Sequence, residues 1–365
     1  MNPCFTNVEP SLIREVNARK KPGDIDLGLG EPVLRPDMAP LQRALAWIEA
    51  NGCPYTANAG DPALRAAVAA SRGIDASRVL ITHGSQEAVY VGLRVAVDPA
   101  LHEVLVVEPA YPAYTRICEA EGIPVRTVAL SADDGFAPRA GPVLDAVTER
   151  TRLVVLSSPC NPSGRVWPAA ELAALASGLP DGCRVLSDEV YRELWYDTPP
   201  LSVATLREDT LVAGGLSKSH ALTGLRVGWL VCPPDLMGSA IRAHQLIATA
   251  ACTFSQRTAL EVLAGGVPSQ REIYAARLPA LRAALAEHQL QAVLPDGAFY
   301  CLVRIPDGVP SLATALRLLE EQHVVTVPGI AFGASCEGWL RASWVSDTAT
   351  VAEGLRRVAA GLGRR

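Results

Sequence analysis

The segment on which the interpretation of this sequence depends is "GGLSKSHALTGLRVGW", residues 214–229, which contains Lys218. Only two other lysines, Lys20 and Lys21, occur among the 33 basic residues, so nearly every positive charge is an arginine. A lysine amine can lose its proton and attack a carbonyl, whereas a guanidinium effectively cannot. Lys218 is therefore either an ordinary surface charge or a nucleophile that holds a cofactor. The motifs in the rest of the chain favour one of these two interpretations over the other.

Short apolar runs recur on both sides of this segment, separated by stretches with helical spacing. The runs lie at 78–82, 103–108, 124–130, 152–158, 183–188, 210–215 and 226–232. Continuous apolar runs are typical of strands buried on both faces of a mostly parallel sheet. The stretches 86–97, 111–121 and 168–176 carry helix-like spacing between them. The alternation predicts an α/β sandwich.

The pattern changes after about residue 265. A helix is predicted over 270–288, followed by two strands around the Pro-Asp-Gly turn of "LQAVLPDGAFYCLVRIP". A closing amphipathic helix places Val351, Leu355, Val358 and Leu362 on one face. We expect an N-terminal arm and the start of a small domain over 1–36, a large cofactor-binding domain over 37–265, and a small α+β domain over 266–365.

Composition narrows the class of partner. The net charge is −5 and no basic run extends beyond residues 19–21, which argues against nucleic acid. No apolar stretch approaches the ~18–20 residues of a membrane span, and the polar start lacks a signal-peptide block. The nine cysteines form no CxxC pair or metal-ligand cluster, which favours reduced thiols and a cytoplasmic protein. Neither a P-loop nor a GxGxxG or GxSxG motif is present.

Polar residues follow the predicted strands, where ligands of open parallel sheets bind. "HGSQEA" (83–88) opens a helix after the first strand, and its backbone N–H groups suit a phosphate. Tyr111 follows the second strand and can stack on a flat ring. Later strand ends carry the polar residues Asn161, Asp188, Tyr191, Lys218 and Arg226. Pyridoxal phosphate is a cofactor that these groups could bind together. It needs a phosphate site, a ring to stack on it, a carboxylate and one amine.

The chain resembles the class I/II aminotransferases, which are fold-type I pyridoxal-phosphate enzymes. The resemblance is carried by the motifs above and by "LGLGEP" (27–32), "YTANAGDPALRAAVA" (55–69), "PDGAFY" (295–300), "VPGIAFG" (327–333) and "LRASWV" (340–345). It covers nearly the whole chain in family order. It implies an aspartate-aminotransferase-like fold, with a mostly parallel seven-stranded sheet in a large domain and a smaller α+β domain.

The resemblance also implies how the cofactor is held. Lys218 would form the internal aldimine and then shuttle the proton between Cα and C4′. Asp188 would keep the pyridine nitrogen protonated, and Asn161 and Tyr191 would hydrogen-bond the 3′ oxygen. Tyr111 would stack on the ring. The phosphate would be bound by the residues Ser85, Gln86, Ser217 and Arg226.

Two further roles concern the substrate and a second subunit. Arg341 would clamp the substrate α-carboxylate in a bidentate fork, with the Gly30 backbone and Asn161 nearby. Tyr55 would reach the phosphate from the neighbouring subunit, which implies a homodimer. Many relatives carry Ser or Thr where this chain has Gly215, so the phosphate cup is expected to be weaker and Ser217 to compensate in part. Cys160 replaces a residue that is often Asn, and no role is attached to it.

The reaction is narrowed but not fixed by these residues. A carboxylate clamp leaves the Cα–H bond labile, which favours amino-group transfer or β-lyase chemistry over α-decarboxylation. We expect amino-group transfer between an L-amino acid and a 2-oxo acid. A β-lyase acting on a cysteine-type amino acid is the alternative enzyme. A cofactor-binding regulatory module is disfavoured because the catalytic set is complete. The substrate side chain is not predicted, and the candidate pocket residues are Arg14, Leu29, Pro32 and Trp195.

Overall fold

The structure is a computed structural model that describes residues 11–363; the first ten residues of the predicted N-terminal arm and the last two of the chain lie outside it. The strands are β1 (Ile25–Asp26), β2 (Val79–Thr82), β3 (Glu103–Glu108), β4 (Val125–Ala129), β5 (Thr151–Ser157), β6 (Arg184–Asp188), β7 (Leu211–Gly215), β8 (Gly228–Val231), β9 (Ala292–Val293), β10 (Tyr300–Arg304), β11 (Val324–Val325), β12 (Val327–Pro328) and β13 (Trp339–Ser343). The helices are α1 (Leu12–Ala18), α2 (Ala39–Asn51), α3 (Pro62–Arg72), α4 (Gly84–Ala96), α5 (Ala113–Ala120), α6 (Ala140–Asp145), α7 (Ala169–Gly178), α8 (Pro234–Ala248), α9 (Thr253–Ala264), α10 (Arg271–Glu287), α11 (Ser311–Gln322) and α12 (Thr348–Gly361).

A seven-stranded sheet forms the centre of the molecule. Its strand order is β2-β8-β7-β6-β5-β3-β4. Only β8 runs antiparallel to its neighbours, so the predicted mostly parallel sheet is confirmed, and all seven predicted strands are present in it.

Successive residues of these strands enter two different cores. Val79 and Ile81 of β2 join one apolar cluster, whereas Leu80 between them joins another on the opposite face. Helix α4 covers the second face so closely that a Cβ at Gly92 would lie 2.5 Å from Leu186 Cδ1. Both faces are therefore buried, as expected for apolar strands without alternation. The exception is edge strand β4, none of whose residues is fully buried.

The C-terminal part of the chain forms a four-stranded antiparallel sheet in the order β12-β13-β10-β9. Helices α10 and α12 pack on it in a third apolar cluster that includes Leu278, Leu281, Leu355 and Val358. Near the N-terminus, β1 pairs in parallel with β11, with Ile25 opposite Val324. The Ser343 N–H of β13 also donates to the Leu27 carbonyl at 2.7 Å, so the chain before residue 37 contacts the C-terminal sheet. The domain limits themselves stay a prediction.

The polar residues singled out from the sequence lie in the loops after β3, β5, β6 and β7, and these loops meet at the carboxyl edge of the large sheet.

Within residues 11–363, no helix has both the length and the apolar character needed to cross a membrane. The eight cysteines in this range are unpaired.

Candidate active site

One cavity of about 1130 Å³ lies between the large sheet and the C-terminal sheet. Eleven of the twelve site residues predicted from the sequence line it: Gly30, Ser85, Gln86, Tyr111, Asn161, Asp188, Tyr191, Ser217, Lys218, Arg226 and Arg341. The exception is Tyr55, which does not line this cavity and is 85% exposed. The structure therefore brings together residues that are up to 311 positions apart in the chain, from Gly30 to Arg341.

The amino end of α4 forms one wall of this cavity. Among residues 11–363 no side chain caps the helix, so the N–H groups of its first turn, including those of Ser85 and Gln86, lack an intrahelical acceptor, and both residues line the cavity. Arg226 lies beside them, and its guanidinium donates to the Thr223 carbonyl at 2.9 Å and the His83 carbonyl at 3.5 Å. N–H groups, a helix dipole and a guanidinium together form an anion-binding site.

Two glycines make this close arrangement possible. Gly84 has φ +78°, and a Cβ there would lie 2.8 Å from Arg226 Nη2. A Cβ on Gly228 of β8 would lie 2.6 Å from the Ser85 backbone nitrogen. At Gly215, which stands where a serine or threonine is common in the family that the chain resembles, a Cβ would be 3.2 Å from the Val227 carbonyl oxygen and 3.9 Å from Ser217 Oγ. Ser217 is buried and lines the cavity, and its compensation for the missing hydroxyl stays a prediction.

Asp188 places a buried carboxylate at the end of β6. Its Oδ2 accepts a hydrogen bond from the Tyr114 hydroxyl at 2.8 Å, and its Oδ1 accepts one from the Val190 backbone N–H at 3.1 Å. Burial raises the pKa of Asp188, while these two hydrogen bonds and the Lys218 charge oppose that rise. A cation bound at this carboxylate would be strongly favoured, because the negative charge is otherwise removed from water.

Lys218 follows β7, and its side chain reaches across the cavity. Its Nζ donates to the Gly30 carbonyl at 2.8 Å. Burial lowers the pKa of Lys218 to about 8, with the charges of Arg226 and Arg341 adding to the effect and that of Glu31 opposing it. An amine in this environment is partly deprotonated near neutral pH, which a nucleophile requires.

Arg341 lies in the middle of β13 and is only 2% exposed. Its Nη1 donates to Asn161 Oδ1 at 2.9 Å and its Nη2 to the Gly28 carbonyl at 2.7 Å. The guanidinium carbon lies 4.3 Å from the Tyr300 ring centroid and 5.1 Å from that of Phe332. Its Nε is buried without a partner among residues 11–363. The guanidinium is thus held rigidly while N–H groups remain free for an anionic ligand.

Four tyrosine side chains complete the site. The hydroxyls of Tyr191 and Tyr300 are 2.8 Å apart and share a hydrogen bond. Tyr111 donates to Gln86 Oε1 at 3.3 Å and meets Tyr114 edge to face, with ring centroids 5.7 Å apart. Hydrogen bonds and ring contacts therefore fix the orientation of the phenols around the cavity.

Comparison with known proteins decides the family. Residues 44–358 match the family described as aminotransferase class I and II. The chain belongs to this family. A probable N-acetyl-LL-diaminopimelate aminotransferase of Bacillus subtilis is 36% identical over 98% of this chain and 94% of its own length. An arginine–pyruvate transaminase of Pseudomonas aeruginosa is 33% identical over 91% of this chain and 88% of its own length.

Solved structures agree with this assignment. The aspartate aminotransferase of Thermus thermophilus with maleate superposes with a TM-score of 0.92, at 29% identity and over 99% of both chains. The predicted fold, the predicted enzyme class and the dependence on pyridoxal phosphate are therefore confirmed. The protein is an aminotransferase, because its named relatives are aminotransferases rather than β-lyases or regulators.

The residues of the cavity fit the cofactor. A phosphate is matched by the uncapped amino end of α4 and by Arg226. A pyridinium nitrogen is matched by the buried carboxylate of Asp188, and an aldehyde by the Lys218 amine. The aminotransferase thus offers one group of suitable chemistry for each reactive part of pyridoxal phosphate.

Sequence reasoning missed some of the residues that matter. Tyr114 lies three residues after Tyr111 and Tyr300 lies inside the motif "PDGAFY", yet neither was given a role. The only available signal was a second tyrosine in or beside a ligand-binding loop. Of the candidate pocket residues, Arg14 and Leu29 line the cavity, whereas Pro32 and Trp195 do not. Trp195 instead lies under the Arg271 guanidinium, 4.0 Å from ring centroid to Cζ.

Proposed function

We propose that the aminotransferase moves an amino group between an L-amino acid and a 2-oxo acid in the cavity around Lys218, with ten of the eleven cavity residues in the roles set out below and the Gly30 backbone beside the substrate. The observation that carries this proposal is that a partly deprotonated lysine, a buried carboxylate and a buried arginine line one cavity. An amine, an acidic partner for a ring nitrogen and a carboxylate clamp are the three groups that the reaction needs.

Cofactor binding is divided among four sets of residues. The N–H groups of Ser85 and Gln86, with Ser217 and Arg226, bind the phosphate. Tyr111 covers the ring, and Asn161 and Tyr191 donate to its 3′ oxygen. Asp188 holds a proton on the pyridine nitrogen, since its buried carboxylate is stabilised by a cation.

Catalysis depends on proton transfer at one carbon. Pyridoxal phosphate, when bound, would supply an electron sink that weakens the Cα–H bond of an amino acid joined to it. Lys218 Nζ takes this proton, because its lowered pKa of about 8 lets the free amine act as a base near neutral pH. Arg341 binds the α-carboxylate, which fixes the rotation about Cα and leaves the hydrogen, rather than the carboxylate, as the leaving group.

Amino-group transfer can be tested directly. The holoenzyme is incubated with a panel of amino acids and with either 2-oxoglutarate or pyruvate, and the new amino acid is measured by chromatography. We expect transfer with the native enzyme and its loss, by orders of magnitude, in Lys218→Arg. Release of ammonia and a 2-oxo acid from cysteine-type substrates, without transfer from any donor, would contradict the proposal.

We also propose a homodimer in which Tyr55 contacts the phosphate bound by the partner subunit. In support, Tyr55 is 85% exposed and lies outside the cavity of its own chain, and Leu246 is 89% exposed. Exposed large apolar side chains are typical of interfaces. Sedimentation should give a dimer, and Tyr55→Phe should weaken cofactor binding without changing the dimer. A fully active monomer would refute this assembly.

The cytoplasm is the proposed compartment. The thiols of Cys53 and Cys252 are exposed and unpaired, which suits a reducing environment. Fractionation of cells that express the tagged chain should recover it with cytoplasmic markers.

A further inference from the structure

Two of the six histidines of the chain meet one carboxylate at the amino end of α4. His83 directly precedes the helix, Glu87 lies in its first turn, and His244 lies on α8. A histidine and a glutamate four positions apart are common on helices, and His244 follows Glu87 by 157 positions. The sequence therefore gives no sign of this cluster, which tertiary packing creates.

Glu87 lies between the two imidazole rings. Its Oε1 is 2.8 Å from His244 Nδ1, and its Oε2 is 3.2 Å from His83 Nδ1. Oε2 also accepts a hydrogen bond from the His83 backbone N–H at 2.6 Å. Three ligand atoms, one from each side chain, lie within 4.8 Å of one another, and no other such group of histidine, cysteine, aspartate or glutamate side chains occurs within residues 11–363.

These distances suit a single shared ion. Zn²⁺ binds nitrogen and carboxylate oxygen at ~2.0–2.2 Å in a tetrahedral arrangement, which places neighbouring ligand atoms ~3.4 Å apart. The two distances between carboxylate and imidazole are already near this value. Only the imidazoles have to approach each other, by ~1–1.5 Å for such geometry. The His83 side chain is 33% exposed, which allows this movement and gives an ion access from solvent.

The helices around the cluster form a rigid frame. α4 and α8 pack against each other, and Val91 of α4 shares an apolar cluster with Met237 and Ala240 of α8. His244 is itself fully buried. Ligands held in place before an ion arrives lose little conformational entropy when it binds.

Glu87 is kept in the form that binds a cation. Burial acts to raise the pKa of Glu87, but hydrogen bonds from His244 and from the His83 backbone outweigh it, so the pKa lies below its ordinary value. Within residues 11–363, only the two histidines are close enough to pair with this carboxylate. A buried carboxylate between neutral imidazoles has no full counter-charge, and a dication would supply one.

His244 has a second ring nitrogen that is not committed. Its Nε2 is buried and has no partner among residues 11–363. No neighbour in this part of the chain therefore fixes which nitrogen carries the proton. Nδ1 can give its lone pair to an ion while Nε2 holds the proton, as a histidine ligand requires.

We propose that His83, Glu87 and His244 bind a divalent transition-metal ion, with Zn²⁺ the best match, and that this ion links α4 to α8. Two imidazoles and one carboxylate are a ligand set that Zn²⁺ favours, whereas Mg²⁺ and Ca²⁺ prefer oxygen ligands alone. The link would hold the amino end of α4, which also forms the proposed phosphate site. The inference does not depend on which amino acid the enzyme uses.

Titration with Zn²⁺ alone gives the first test. Isothermal titration uses the tag-free holoenzyme after treatment with a chelator and its removal, and we expect one ion per chain at this site. Loss of a residue that only orients a ligand costs ~10- to 100-fold in metal affinity, so loss of a ligand should cost ~100-fold or more. The variants are Glu87→Gln, which keeps the shape of the side chain, His244→Gln, and His83→Asn, since asparagine is favoured at the start of a helix.

The matched control is His323→Asn. His323 Nδ1 lies 3.1 Å from Asp24 Oδ1, so it forms the same kind of pair but has no third ligand among the described residues. This variant should bind Zn²⁺ with the native affinity. Absence of binding in the native enzyme, or equal affinity in all four variants, would overturn the inference, the second result because it places the ion on other groups such as the exposed thiols of Cys53 and Cys252.

Co²⁺ gives a second test that the native enzyme alone can decide, even if the buried His244 variant does not fold. Difference spectra before and after addition of Co²⁺ to the holoenzyme report the ligands and their geometry. We expect the visible bands of four- or five-coordinate Co²⁺, no sulfur-to-cobalt charge-transfer band, and no displacement by excess Mg²⁺. A sulfur band, displacement by Mg²⁺, or a spectrum that persists in Glu87→Gln would overturn the inference.

Discussion

Arg341 of the C-terminal sheet donates through Nη1 to Asn161 Oδ1 at 2.9 Å, and Asn161 follows β5 of the seven-stranded sheet. A buried charged hydrogen bond thus crosses the cavity between the two sheets. It orients both side chains before any substrate arrives, so the remaining N–H groups of Arg341 point to a fixed position. Preorganised donors of this kind accelerate a reaction more than flexible ones do.

Replacement of Arg341 with alanine should therefore lower kcat/KM for amino acids by ~30-fold to several thousand-fold, because a partly desolvated charge pair is worth roughly 2–5 kcal/mol. Arg341→Lys should recover only part of the loss, since an ammonium cannot donate two parallel hydrogen bonds. Steady-state kinetics gives the effect, and the visible absorbance of the bound cofactor is the control. Unchanged kcat/KM, or loss of the cofactor itself, would show that Arg341 does not clamp the substrate.

Gly84 provides a test of the phosphate site. In Gly84→Ala the new Cβ meets Arg226, 2.8 Å away, at a backbone position with φ +78°. Gly73→Ala is the matched control, since Gly73 also has positive φ, +66°, but has nothing within 4 Å. Each variant should lose about 1–2 kcal/mol of unfolding free energy from the backbone alone.

Only the variant at Gly84 should also displace the arginine. We expect its affinity for pyridoxal phosphate to fall about tenfold, measured by fluorescence titration of the cofactor-free protein, and that of Gly73→Ala to stay native. Equal affinities in the two variants would mean that Arg226 does not bind the phosphate.

Local pattern explains why most of the fold was predictable. Val104 and Leu105 lie in a run with no polar interruption, and such a run is stable only when both faces of a strand are covered. Lys218 and Arg341 could be predicted as site residues because each lies in a family motif of contiguous residues. The prediction that β4 is buried on both faces was wrong, since β4 lies at the edge of the sheet. An edge position depends on the order of the strands, which the residues of 124–130 do not encode.

Contacts between distant residues were not predictable. Tyr114 and Asp188 are 74 positions apart, and nothing in either motif indicates that the hydroxyl and the carboxylate meet. Such a contact arises from tertiary packing. Periodic patterns in a single sequence predict helices and strands, but they do not predict which distant side chains meet.

Tyr114 should support the cofactor through Asp188. In Tyr114→Phe the buried carboxylate loses a 2.8 Å hydrogen bond that helps to hold down its pKa, while the ring contact with Tyr111 remains. A less ionised Asp188 holds the pyridine proton less firmly, so kcat should fall ~3- to 100-fold, with the largest deficit at low pH. The check is a pH profile of kcat beside that of the native enzyme. A uniform loss at every pH would assign Tyr114 to packing alone.

Lys218 should capture the cofactor with a pH dependence of its own. With a pKa of about 8, roughly a fifth of the amine is neutral at pH 7.4, compared with about one part in a thousand at the ordinary value of 10.5. Only the neutral amine attacks the aldehyde, so covalent capture by the cofactor-free protein should rise with pH through about 8 and level off above about 9. Capture is measured by borohydride reduction and intact mass, with peptide mapping to exclude Lys20 and Lys21.

Glu31→Gln provides the matched control for this dependence, because the Glu31 charge raises the pKa of Lys218. Without it the protonated amine is less stable, so the midpoint of the capture curve should move to lower pH. Arg226→Gln should move it the other way, since that cation lowers the pKa of Lys218. A native curve that continues to rise past pH 10, or two variants that shift in the same direction, would show that burial and these neighbouring charges do not control the nucleophile.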